Sequence, residues 1–270
     1  MTDREFHRFA EFIQGSLGIK MPRSKKTMLE SRLNKRLRSL RLSSYKAYRE
    51  YVFSEEGRES ELPHLIDVVT TNKTEFFREA SHFDFLNEEL LPQWTAVHQP
   101  GRLTVWSAGC STGEEPYTIA MVLAECLAGQ SGWDFEILGT DISREVLDKA
   151  ARAVYRQDAT GKVPWNLRSR YFMRSKDPKK KLVRIVPELR RKVGFRQLNF
   201  MDPFSFREKM DLIFCRNVII YFERAVQEEL FGKLARCLKQ GGYLFIGHSE
   251  TLSGMDLPLR QSKPTIYRKT

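Results

Sequence analysis

Apolar side chains recur at helical spacing through residues 1–70. Phe6, Phe9, Phe12 and Ile13 make the first such stripe, and Gly15 and Gly18 interrupt it. Ser24 reads as the N-cap of a second helix running to about Leu42, with Leu29, Leu33, Leu37 and Leu40 as its buried stripe. Arg32, Lys35, Arg36, Arg38 and Arg41 fall mainly on its other faces. A third helix is expected from Ser44 to about Phe53, a polar loop over Ser54–Ser60, and a further apolar run over Leu62–Val69.

From about residue 100 the period changes. Short β-rich runs at Leu103–Ser107, Phe135–Gly139, Asp211–Cys215 and Tyr243–Ile246 alternate with helical patterns at Glu115–Leu127, Ser143–Val154 and Ala225–Leu238. Such alternation predicts parallel strands covered by helices on both faces. Within 162–192, Tyr171–Met173 and Leu182–Val186 look instead like hairpin strands, a small inserted β unit.

Apolar residues are 41% of the 270, enough for a sizeable core. No run of about 18 apolar residues suggests a membrane span, and the N-terminal Met1–Glu5 does not read as a secretory signal. Cys110, Cys126, Cys215 and Cys237 form no paired spacing and sit in apolar contexts. Reduced core thiols in a cytoplasmic protein are expected, with no metal site. The net charge of +11 is concentrated. Residues 20–49 and 162–192 each net +10, so the remainder nets −9. Two basic patches on a mildly acidic body attract a polyanionic partner: nucleic acid, a membrane surface or an acidic protein.

The chemistry concentrates at strand ends. Trp106–Pro116 reads as strand, glycine-punctuated loop and helix start. It is neither G-x-x-x-x-G-K-[ST] nor G-x-G-x-x-G. Asp141 closes the second strand, where an acid can accept hydrogen bonds from both ribose hydroxyls. A glycine loop and a strand-end acid without a phosphate-binding lysine favour a nucleoside without phosphates, hence S-adenosylmethionine over a dinucleotide. Arg216 and Asn217 follow the next core strand, and Tyr221 lies four residues beyond Asn217. Helix capping by Asn217 and a core ring for Tyr221 are the plainer alternatives.

Val69–Glu79, Trp106–Pro116, Phe214–Phe222 and Gly247–Glu250, in that order, resemble the chemotaxis receptor glutamate methyltransferases, the CheR family. The resemblance implies an all-α N-terminal domain over 1–70 and a cofactor-contacting linker over 71–100. A Rossmann-like α/β methyltransferase domain would follow over 101–270, with an antiparallel β subdomain inserted at about 162–192. It implies transfer of the methyl of S-adenosylmethionine to receptor glutamates, leaving S-adenosylhomocysteine, in sensory adaptation at membrane-bound receptor arrays. By residue it implies cofactor contacts for Asn72, Thr74, Arg78, Glu115, Asp141, Asn199, Phe200, Arg216 and Asn217. Arg78 and Tyr221 would stand nearest the transferred methyl. The exposed cations Arg32, Lys35, Arg36 and Arg38 are expected to meet the Glu-rich methylation helices of the receptor. Some members dock a receptor's C-terminal pentapeptide on a glycine-rich turn of the β subdomain. Here Ser175–Lys181 has four lysines and no glycine, which argues against that tether.

Two other readings stay in view. A nucleic-acid methyltransferase would suit the basic charge, but the fourth core strand ends in Arg216-Asn217-Val218-Ile219, not in the D/N-P-P-Y/F of the amino-group enzymes. A non-catalytic nucleotide sensor would retain the fold, yet the polar set Arg78, Asp141, Asn217 and Tyr221 is intact.

Overall fold

The computed structural model describes residues 1–270. The chain opens with α1 (Asp3–Leu17), α2 (Lys26–Ser39), α3 (Tyr45–Val52), α4 (Glu55–Ser60) and α5 (Leu62–Val69). Thr2 caps α1 in a reciprocal box with Glu5, and Gly18 ends it at φ 71°, a left-handed position that suits glycine. Phe9, Ile13, Leu29, Leu33, Tyr48 and Leu65 are fully buried between these helices. Ser44 does cap α3. Ser24 caps nothing: Arg23–Lys25 form a 3-10 turn, and α2 starts after it without a side-chain cap. The stretch Ser54–Ser60, expected as a loop, is helical as α4. The Ser54 hydroxyl accepts the Gly57 amide, and Glu55 and Glu56 complement the first turn.

Two side chains of α2 are spent inside this bundle. Arg36 donates to both carboxylate oxygens of Glu61, at 2.9 and 2.6 Å, and Tyr48 donates to the same carboxylate at 2.8 Å. Glu61 is only 2% exposed, so the pair is desolvated on the acid side. Arg32 donates to the carbonyls of Val68 and Thr70, closing the end of α5.

After α6 (Ser81–Phe85) and α7 (Leu91–Val97), joined by a π turn at Leu86–Leu90, the α/β core begins. It runs β1 (Arg102–Ala108), α8 (Glu114–Cys126), β2 (Asp134–Asp141), α9 (Arg144–Arg152), β3 (Val154–Arg156), α10 (Trp165–Tyr171), β4 (Phe172–Arg174), β5 (Leu182–Ile185) and α11 (Pro187–Arg190). It continues β6 (Val193–Gln197), β7 (Met210–Cys215), α12 (Arg224–Cys237), β8 (Leu238–Ile246), β9 (Leu259–Lys263) and β10 (Ile266–Lys269). The main sheet has the order β6-β2-β1-β7-β8-β10-β9. β6, β2, β1, β7 and β8 run parallel, and β10 is antiparallel to both its neighbours. Val105, Leu212, Phe214 and Phe245 pack on one face, and Trp106, Ile213, Cys215 and Leu244 on the other. The strand order reverses between β1 and β7, so a crevice opens at their carboxyl ends.

The hairpin expected from Leu182–Val186 and its partner is present as β5 and β4. The small sheet also takes a third strand, β3, from Val154–Arg156, upstream of the stretch read as inserted and partly within the expected α9 helix. That helix stops because Ala153 turns left-handed at φ 52°. Tyr155 of β3 and Phe172 of β4 close on Phe76, with ring centroids 4.9 and 5.4 Å away. Strand β6 was not legible in the sequence because its five residues, Val-Gly-Phe-Arg-Gln, carry little apolar signal. No helix is long and apolar enough to cross a membrane.

Removing one partner of a desolvated ion pair leaves a charge uncompensated, at roughly 3 kcal/mol. Arg36→Ala should therefore lower the urea midpoint by an amount equivalent to about 3 kcal/mol. Lys35→Ala, one position away and exposed, should stay within about 0.5 kcal/mol. Equal effects of the two would remove the Glu61 pair from the stability of the bundle.

Candidate active site

A cavity of about 210 Å³ lies in the crevice at the ends of β1, β2 and β7. The loop after β1 reaches it through three left-handed residues, Gly109 at φ 81°, Ser111 at φ 50° and Gly113 at φ 94°. A Cβ on Gly109 would stand 2.4 Å from Val218 Cγ2, so the close approach to the β7 loop requires glycine. Asp141, at the end of β2, is nearly buried; its two oxygens accept the Ser111 amide at 2.9 Å and the Ser143 amide at 3.0 Å. Burial pushes its carboxyl above the usual range, against these backbone donors.

Arg216, at the end of β7, is the hub of the opposite wall. Its Nε donates to Glu115 at 2.7 Å; its Nη1 donates to the Arg78 carbonyl at 2.8 Å and to His82 Nδ1 at 3.1 Å. Glu79 lies 3.5 Å from the same nitrogen, and the rings of Phe83 and Phe214 flank the guanidinium. Because a guanidinium only donates, His82 Nδ1 accepts, and Nε2–H donates to Thr265 Oγ1 at 2.8 Å. Burial and the adjacent Arg216 charge push His82 down to about 3, so the ring is neutral. Glu115 also accepts from Ser107 Oγ at 2.6 Å.

The loop after β7 turns through Asn217 at φ 58°, a left-handed position asparagine tolerates. Asn217 Nδ2 donates to Glu79 Oε1 at 3.0 Å, and the Asn217 and Ile219 amides donate to Glu250 at 3.1 and 2.9 Å. Gly247 N–H donates to Glu250 as well, so one buried acid staples the β7 loop to the end of β8. Burial would raise Glu79, but hydrogen bonds from Asn217 and the His248 amide, with the Arg216 charge, hold it below the usual range.

The helical bundle supplies the cavity's remaining wall with Leu17, Ile19, Lys25 and Met28. Ile19 packs against the cores of both domains and Ile142 packs on the bundle core, and hydrogen bonds complete the seam. Lys20 N–H donates to the Tyr221 carbonyl at 2.8 Å, Asn199 Nδ2 to the Ser16 carbonyl at 2.9 Å, and Gln14 Nε2 to Glu223 at 3.0 Å. Arg78 Nη1 donates to the Lys73 carbonyl at 2.9 Å, and the Asn72 carbonyl accepts from Ser111 Oγ at 3.1 Å.

Asn72, Thr74, Arg78, Glu115, Asp141, Asn199, Phe200, Arg216, Asn217 and Tyr221 all line this one cavity. The four cations expected on a receptor-facing surface separate. Lys35 and Arg38 are exposed, whereas Arg32 and Arg36 are held by the bundle as described, because each meets acceptors left by α5 and its N-terminal approach. The sequence did not point to Leu17, Ile19, Lys25 and Met28, whose place in the site depends on how the bundle docks. Glu250 stood within a motif already singled out, but only the turn geometry reveals its three amide partners.

Apolar walls at Leu17, Ile142, Leu198 and Phe222 suit an adenine, and Asp141 and Glu115 suit ribose hydroxyls and an ammonium. The donor and acceptor set thus fits S-adenosylmethionine, and fold and cavity together define an S-adenosylmethionine-dependent methyltransferase. A family model described as "CheR methyltransferase, all-alpha domain" matches residues 4–70, and one described as "CheR methyltransferase, SAM binding domain" matches 72–268. The chain belongs to the CheR methyltransferase family. It is 40% identical over 276 residues to a chemotaxis protein methyltransferase of Borreliella burgdorferi, covering 100% of this chain and 95% of that one. The identity is 37% over 268 residues to the chemotaxis protein methyltransferase of Escherichia coli K12, with 99% and 91% covered. It is 38% over 267 residues to chemotaxis protein methyltransferase 2 of Pseudomonas aeruginosa, with 98% and 93% covered.

His82 makes the site acid-sensitive. Its folded value of about 3 lies below the unfolded reference of 6.5, so between these pH values the unfolded chain binds a proton that the folded chain excludes. Stability should fall with decreasing pH below 6.5, with His82 contributing up to about 1.4 kcal/mol per pH unit. Urea unfolding at pH 7 and pH 5 should show this loss in the wild type and a smaller one in His82→Gln. Identical pH slopes in both would exclude the assignment.

Proposed function

We propose that this chain esterifies glutamate side chains of chemotaxis receptors with the methyl group of S-adenosylmethionine, and that the cavity residues divide between holding donor and acceptor. The observation that carries the reading is the chemistry of the cavity lining. It offers carboxylates, amides and cations, but no histidine or cysteine to act as a base. An acceptor that needs no deprotonation fits such a site, and a glutamate side chain, with a pKa of about 4.3, is already ionised at pH 7.

When bound, the cofactor supplies an electrophilic methyl group on a cationic sulfur. In this reading Asp141 takes the ribose hydroxyls, its oxygens already oriented by two amides and each keeping a free lone pair. Asn199 and Phe200 flank the adenine, and Glu115 offers negative charge to the ammonium. Asn72 and Thr74 contribute polar contacts. Arg216 and Asn217 hold the wall between the cofactor and the segment that carries Arg78. Arg78 orients the acceptor carboxylate from one side, and Tyr221 shapes the space in which carboxylate and methyl meet. Positioning of this kind can supply roughly 7–11 kcal/mol of barrier reduction.

Receptor approach is assigned to the exposed cations of α2, reduced to Lys35 and Arg38. Their charge speeds encounter with an acidic helix and is screened by salt. The glycine-free turn at Ser175–Lys181 gives no support to a pentapeptide tether.

Purified protein incubated with labelled S-adenosylmethionine and receptor-containing membranes should form base-labile methyl esters; base-stable label would mean a different acceptor chemistry. Arg78→Ala should lower kcat at least tenfold while the Kd for S-adenosylhomocysteine changes less than about threefold, a loss of about 1.4 kcal/mol confined to turnover. A collapse of cofactor affinity alone would move Arg78 out of the acceptor role. The double reversal Lys35→Glu with Arg38→Glu should reduce kcat/KM for receptors about tenfold at low salt and leave cofactor binding intact. Unchanged receptor kinetics would clear that face of any part in docking.

A further inference from the structure

The cavity lining carries four cations, Lys25, Lys73, Arg78 and Arg216, against two carboxylates, Glu115 and Asp141. Arg216 is balanced by Glu115 and Glu79. Around the 3-10 turn that precedes α2, Arg23 and Lys26 both pair with Asp3. Lys25, between them, turns the other way and lines the cavity. Its Nζ meets one protein acceptor, the Lys20 carbonyl at 3.2 Å, and lies 5.7 Å from the centroid of the Tyr221 ring. The Lys20 amide is itself bonded to the Tyr221 carbonyl, so loop, ammonium and ring form one unit. Burial and the nearby Arg32 charge lower the Lys25 ammonium from its ordinary value, a sign that the site tolerates this cation without favouring it.

We propose that the Lys25 ammonium, held over Tyr221, is the group that selects an ionised acceptor carboxylate and rejects its neutral counterparts, the methyl ester and the glutamine amide. The proposal rests on receptor glutamate being the acceptor. Three physical points carry it. A cationic sulfonium would add a like charge beside three cations without acid partners, Lys25, Lys73 and Arg78, and an incoming carboxylate supplies a missing anion. An ammonium is a compact point charge that can grip one carboxylate oxygen and leave the other free to attack. The aromatic face beneath it holds the cation in place without neutralising it.

The transfer then sets the direction of selection. A carboxylate oxygen lone pair forms the bond to the methyl carbon, the carbon–sulfur bond breaks, and its pair stays on sulfur. Anion and sulfonium become a neutral ester and a neutral thioether, and no proton moves. The attraction to Lys25 is strongest for the bound carboxylate and fades as its charge is consumed. Lys25 therefore acts on KM and on release of the ester more than on kcat.

The test uses the full chain with S-adenosylhomocysteine bound, and two synthetic receptor methylation-helix peptides differing only in Glu or Gln at the acceptor position. Wild type should bind the Glu peptide at least tenfold more tightly than the Gln peptide, and Lys25→Gln should bring that ratio close to one. Lys25→Arg should keep part of the preference. With receptor membranes, Lys25→Gln should raise KM more than it lowers kcat. The Kd for S-adenosylhomocysteine should stay within about twofold in all variants, which also reports that the pocket is intact. An unchanged Glu-to-Gln ratio, or a loss of affinity for both peptides alike, would overturn the proposal, as would loss of S-adenosylhomocysteine binding, which would make Lys25 a structural residue. Failure of the wild type to form base-labile esters would instead reject the glutamate acceptor itself.

Discussion

A single buried guanidinium holds the site together. Arg216 leaves the end of the most buried strand and ties down two stretches distant in sequence: α8 through Glu115, and the Lys73–Glu79 loop with the α6 that follows it through the Arg78 carbonyl and His82. Each partner takes a hydrogen bond, and the two flanking rings exclude water from the remaining surface. A buried charge is tolerated only when paired and hydrogen-bonded. That requirement forces these stretches to converge, and the convergence fixes the backbone carrying Arg78. Lysine could supply the charge but not the fork that spans these acceptors.

The other segments brace what Arg216 gathers. Glu250 collects three amides of the β7 and β8 ends, so the turn through Asn217 keeps its left-handed shape. From the opposite side the small sheet clamps the loop by its aromatic face, with Phe76 between Tyr155 and Phe172. The Tyr155 hydroxyl reaches the Thr112 carbonyl of the glycine loop at 2.9 Å. The helical bundle then closes the cavity through Ile19 and Ile142, which pack across the seam, and through main-chain and amide contacts.

The alternation of strand and helix, the strand-end acid and the four motifs were all legible because each depends on local pattern. Asp141, Arg216 and Asn217 stand where strands end, and strand ends are written in short apolar runs. What escaped reading depends on tertiary placement. β6 is too polar to announce itself, β3 was hidden behind a helix pattern that only the left-handed Ala153 ends, and α4 was masked by polar residues that in fact complement a helix start. The helical stripe of α2 correctly placed Leu29, Leu33 and Leu37 inside. It could not say which of the polar faces would meet α5, and so it left Arg32 and Arg36 on the outside.

That last error bears on how charge in a sequence should be weighed. Residues 20–49 net +10, yet part of this charge is met within the fold: Arg23 and Lys26 share Asp3 and Arg36 pairs with Glu61, while Arg32 is turned inward onto the carbonyls at the end of α5. A cation paired with an acid contributes little to recruiting a partner, since the opposite charge cancels its field over a few ångströms. What acts on a substrate is the remainder, and here it divides by location. Lys35 and Arg38 face solvent, where their effect is long-ranged but screened. Lys25 lines the cavity beside Tyr221, where its proposed task is to tell a carboxylate from its ester. On the proposed reading, concentrated basic sequence serves approach and discrimination through different residues, and only burial and pairing separate the two.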